Sequence, residues 1–75
     1  MENNIRELIV RMKDIDARLK YLYEQHEKYE RELMEYGKRS YLTEEEQLKE
    51  KQIKFAKLKG KEKMMEILSV IQEAA

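Results

Sequence analysis

The sequence predicts an all-α fold: an antiparallel two-helix hairpin, coiled-coil-like, that associates into a helical bundle. Three observations predict it. Apolar residues from Ile5 to Tyr36 recur at alternating steps of three and four, the spacing that keeps one stripe of a helix facing a partner. Gly37 and then Thr43–Glu46 punctuate the middle of the chain, reading as a helix stop followed by a helix start. Charged residues make up 43% of the 75, and proline is absent, a composition of long exposed helices rather than of a many-turned globule.

The first helix is predicted over about 4–36. Its seam is Ile5, Leu8, Met12, Ile15, Leu19, Leu22, His26, Tyr29, Leu33 and Tyr36, with no stutter in the repeat. Asn4 stands where an N-cap is wanted and Glu7 where a capping box closes. Gly37 suits the left-handed conformation that ends many helices. A rod of this length spans about 50 Å and must pack its stripe against something.

The turn is predicted over 37–42, short enough to fold the helices back antiparallel. A second helix over about 43–73 follows. Thr43 is its N-cap, Glu46 completes a capping box, and Glu44 and Glu45 suit the positive end of the helix dipole. Leu42 precedes the cap and is placed to staple the turn. At 100° per residue, Leu48, Phe55, Leu58 and Met65 gather on one side, expected to complete the hairpin seam. Ile53, Ala56, Gly60, Met64, Ile67, Ile71 and Ala74 form a stripe roughly opposite, expected to recruit a further chain. Gly60 marks a point where the helix can kink, but no proline or turn cluster accompanies it, so one continuous helix is favoured.

The same residues bound the function. Seventy-five residues make a single domain, near the size at which one core barely suffices. The 16 basic and 16 acidic residues balance, so no global field draws the chain to nucleic acid or an anionic membrane. No apolar run is long enough to span a membrane, the N-terminus lacks the layout of a secretory signal, and cysteine is absent. A cytoplasmic protein is expected. Lys49, Lys51, Lys54, Lys57, Lys59, Lys61 and Lys63 form a locally basic segment. On a helical wheel only Lys54, Lys57 and Lys61 share a side while Lys59 and Lys63 lie nearly opposite, whereas a phosphate surface needs convergent charge. The bland explanation is ion pairing with Glu24, Glu27 and Glu30 of the first helix.

His26, the lone histidine, sits in the seam between Leu19 and Leu33. It has no companions for a zinc site, and reads as a polar residue that fixes register. No nucleophile–base pair or glycine-rich phosphate loop is present, so neither an enzyme nor a cofactor is expected. The C-terminal "KMMEILSVIQEAA" could lie on a membrane surface, but its polar face is acidic at Glu66 and Glu73, which favours packing against protein.

Leu22, four before His26, and Tyr29 with Glu30, three and four after it, followed by Leu33, resemble the first-helix motif of the YdcH-like family of small bacterial proteins. "KLKGKEKMMEIL", Lys57 to Leu68, resembles the family's lysine-rich second-helix motif. The likeness covers roughly residues 15–70. It departs at Gly60, where an apolar residue is usual, and the spacing between motifs is about a turn longer. The resemblance implies a helical hairpin and brings no activity or site residues. The function expected is thus a coiled-coil protein–protein interaction or structural module, a homo-oligomer or a partner of other helices. The competing expectation is a small nucleic-acid-associated protein using Lys54, Lys57 and Lys61.

Overall fold

The computed structural model describes residues 3–74, with the side chains of Glu73 and Ala74 outside the described set. Among the described residues it is all-helical: α1 (Asn3–Met12), α2 (Ala17–Gly37) and α3 (Glu44–Ala74). α2 and α3 form an antiparallel pair with the closest mutual packing in the molecule, and α1 folds against its open end. The rod measures 48 × 19 × 17 Å.

The expected unbroken first helix is two helices. The chain leaves helical geometry after Met12, where Ile15 N–H reaches the Met12 carbonyl at 3.1 Å. It re-enters at Asp16, whose backbone is extended at φ −136° and ψ 110°. The Asp16 carboxylate accepts from the backbone N–H groups of Arg18 at 2.9 Å and Leu19 at 3.2 Å, and the Arg18 guanidinium bridges to it at 3.1 Å. Short carboxylates compete for backbone donors, so aspartate prefers a cap to a helix interior. The step from Met12 through Ile15 to Leu19 keeps the seam's period across this break, which hides it. Ile15, expected in the seam, is 75% exposed. Asn4 lies within the first turn of α1 instead of capping it, its Oδ1 accepting from Ile5 N–H at 2.9 Å.

The turn holds one expectation and changes two. Thr43 Oγ1 accepts from Glu46 N–H and Glu46 Oε1 accepts from Thr43 N–H, both at 3.1 Å, a reciprocal capping box. Gly37 does not take a positive φ. α2 ends instead with Lys38 in right-handed geometry, its N–H bridging the Met34 and Glu35 carbonyls. Leu42 makes no apolar staple with the residue five on, because that residue is Gln47, whose amide donates to the Leu42 carbonyl at 3.3 Å. Arg39 pairs with Glu46 across the turn.

The core is lopsided. Ile9, Leu19, Tyr23, Met64 and Leu68 form one buried cluster, with Ile5, Leu8, Met12, Leu22 and Ile67 packed around it. All lie at the end where three helices meet. Ile9 and Tyr23, off the expected seam, are buried because α2 has α3 on one side and α1 on the other, which widens its apolar face. Toward the turn only two helices meet, and Met34, Tyr41 and Leu48 are exposed.

Candidate functional site

Two features of the fold stand out beyond packing: a polar node where the three helices converge, and an apolar face that none of them covers.

The node centres on Glu30. Its Oε1 lies 2.7 Å from His26 Nε2 one turn earlier on α2, 3.1 Å from the Arg6 guanidinium of α1 and 3.8 Å from Lys57 Nζ of α3. His26 is 2% exposed. His26 Nε2 lies within hydrogen-bonding distance of Glu30 Oε1 but off the ideal line, and Nδ1 has no hydrogen-bond partner among the described residues. Burial pushes the His26 imidazole below its ordinary 6.5. Lys57 and Arg6 push the same way, and the Glu30 carboxylate pulls against them without winning. Burial would raise the Glu30 carboxyl, but His26, Arg6 and Lys57 together outweigh it and hold it below the ordinary 4.5. The result is a neutral imidazole beside an anion shared by two cations, which ties all three helices at one height. Sequence reasoning placed His26 in the seam and offered Glu30 as an ion-pair partner for the lysine segment. Arg6 was missed, because its role depends on where α1 lands after the break.

The lysine segment is mostly local in its pairing. Lys54 pairs with Glu50 at 3.9 Å and Lys59 with Glu62 at 3.7 Å, both within α3. Lys57 alone reaches across to α2. Lys54, Lys57 and Lys61 do rim one shallow concavity of about 340 Å³, backed by His26 and Leu33. Glu50 and Glu30 already engage the first two of the three.

The faces of α3 exchange the roles expected for them. Ile53 and Met64 are buried, and Ala56, Gly60, Ile67 and Ile71 are half-buried, so this stripe packs within the chain and is not the free interface. Leu48, Phe55, Leu58 and Met65, expected in the hairpin seam, are 59%, 61%, 51% and 41% exposed. Ala56 and Gly60 face Leu22, His26 and Tyr29 around a concavity of about 280 Å³. Both stripes carry comparable apolar content, so period alone could not rank them. On α1 and α2, the remaining seam residues Ile5, Leu8, Met12, Leu22, Tyr29, Leu33 and Tyr36 are half-buried, and Leu19 is fully buried.

Among the described residues, no three His, Cys, Asp or Glu side chains come together to hold a metal ion, and no helix is long and apolar enough to cross a membrane. Compared with known proteins, the chain matches no family model, no curated protein and no solved structure.

Proposed function

We propose that this chain is a helical interaction module whose working surface is the outer face of α3. One observation carries the reading: α3 bears apolar stripes on opposite sides, the inner one buried and the outer one, Leu48, Phe55, Leu58 and Met65, left in water. A helix of an isolated hairpin needs one apolar face. An aligned row of exposed large apolar side chains, unlike scattered single ones, marks a place for another helix. The polar node supports the same reading, since it fixes the register of the three helices and so holds the outer face rigid. The likeness of Leu22, His26, Tyr29, Glu30 and Leu33 to the YdcH-like motif also supports a scaffold of packed helices. The competing reading, an anion or nucleic-acid surface on Lys54, Lys57 and Lys61, is weakened by the carboxylates that pair with Lys54 and Lys57.

Photo-crosslinking in cells tests it. A photoreactive residue in place of Leu58 should give discrete protein adducts, and one in place of Arg31, exposed on α2, should not. Absence of adducts at Leu58, or equal adducts at both positions, overturns the interaction-module reading.

A further inference from the structure

The outer face of α3 is more than apolar; it is ordered along its length. Read as a heptad seam, it runs Leu48, Lys51, Phe55, Leu58, Glu62, Met65 at alternating steps of three and four. Lys51 and Glu62 are exposed, as are the four apolar members, and Glu62 also pairs with Lys59 one turn earlier at 3.7 Å, an exposed pair that a facing lysine can share. The order is apolar, cation, apolar, apolar, anion, apolar, and reversing it exchanges only the signs of the charges.

We propose that a second copy of this chain docks on this face with α3 antiparallel to α3. The inference rests on the interaction-module reading and names its partner. In an antiparallel pair about a two-fold axis, an a position of one helix layers on a d position of the other. Leu48 then meets the copy's Met65, Phe55 meets its Leu58, and Lys51 meets its Glu62. Symmetry repeats each contact, giving six matched layers. No other simple register does this. A parallel pair stacks Lys51 on Lys51 and Glu62 on Glu62. Sliding the antiparallel pair by one heptad keeps fewer layers and sets Lys51 against Phe55, or Glu62 against Leu58.

The surroundings fit. The seam is about 26 Å long at 1.5 Å per residue. At its Met65 end a concavity of about 320 Å³, lined also by Asn4, Ile5, Leu8 and Leu68, opens beside Met65 and is placed to take the copy's Leu48. Lys59, whose ammonium lies 5.4 Å from the Phe55 ring centroid, stays at the rim. Two kinds of rim contact oppose the pairing: at the ends of the seam the e positions Glu45 and Glu66 of the two copies face each other, and nearer the axis two lysines meet. Lys54 and Lys61 occupy g positions, and in an antiparallel pair g faces g, so Lys54 approaches the copy's Lys61.

Sedimentation equilibrium of the full chain tests the proposal, with circular dichroism confirming that each variant stays folded. The weight-average mass should rise from one 9.2 kDa chain toward two between about 10 µM and 1 mM, the range suited to a small interface with polar layers. Lys51→Glu alone, or Glu62→Lys alone, should weaken association by about tenfold or more, because the two-fold axis applies each like-charge clash twice. Lys51→Glu with Glu62→Lys should restore it. Lys61→Glu should tighten it, by turning the rim repulsion into attraction. A wild-type chain that stays monomeric throughout, or a double exchange no stronger than its single parents, overturns the antiparallel pair. If the chain is monomeric but Leu58 crosslinks to a different protein, self-pairing falls and the module reading stands. If it is monomeric and Leu58 gives no adducts, both fall.

Discussion

His26 is buried with Nδ1 unpartnered among the described residues and only Nε2 near the Glu30 carboxylate, and leaving a buried polar atom unpaired costs about 1–3 kcal/mol. A neutral imidazole tolerates that position better than an imidazolium, which is why burial dominates its lowered pKa. The sign of the pH dependence follows. A histidine whose folded pKa lies below its unfolded value stabilises the fold fully above the unfolded value. As pH falls below about 6.5 the unfolded chain takes up a proton that the folded chain resists, and stability is lost. Glu30 acts in the same direction lower down. Its folded pKa lies below 4.5, so its contribution is present above the carboxylate range and is lost as pH falls through the folded value. Acid should therefore weaken the fold in two stages, His26 first. Between pH 7 and 5 the loss approaches at most one proton's slope, about 1.4 kcal/mol per pH unit. His26→Leu should flatten this upper stage and raise stability at pH 5, measured by guanidinium unfolding at each pH. An unchanged slope in His26→Leu would assign the acid response elsewhere.

At the scale of the element, α3 runs helical through Gly60 without a break. The glycine has no positive φ, and a Cβ built there meets nothing within 4 Å. Nothing in the fold needs a glycine at this point, whereas a glycine inside a helix costs about 1 kcal/mol relative to alanine. Gly60→Ala should raise stability by about 0.5–1 kcal/mol, read as a higher denaturation midpoint at unchanged slope. A lower midpoint would mean that the stripe packs more tightly at Gly60 than the structure has it. The elements also show what the sequence could disclose. The Thr43–Glu46 capping box was legible because its chemistry lies within four residues. The break at Asp16 was not legible in the hydrophobic period, since Met12, Ile15 and Leu19 keep step across it. The available signal was the pair Asp14 and Asp16, poor residues for a helix interior and good ones for a cap. The inward face of α3 was undecided between two stripes of comparable apolar content, and only the packing of Ile53 and Met64 separates them. Arg6 in the polar node was out of reach, because its place depends on that break.

Over the whole molecule, stability concentrates away from the turn. A chain of 75 residues has about 4–11 kcal/mol in all, and its main buried cluster, Ile9, Leu19, Tyr23, Met64 and Leu68, lies where α1 closes the open end. α1 thus supplies the third wall that a two-helix hairpin lacks. Ile9 is fully buried in the same cluster as Leu19 and Met64. Truncating it leaves a cavity and strips cover from both, so Ile9→Ala should cost about 2–4 kcal/mol, a large share of the total. Leu33→Ala, at a half-buried position nearer the turn, should cost less than half of that. Native-state hydrogen exchange should show the same polarity, with amides of Leu19–His26 and Ile53–Leu68 opening only with global unfolding and those flanking the turn opening at lower free energy. In Ile9→Ala the strongly protected amides should fall to the level of the turn. If protection instead peaks beside the Thr43 cap and Ile9→Ala leaves it there, the hairpin stands without α1, and the short first helix is an appendage on a rod that is stable alone.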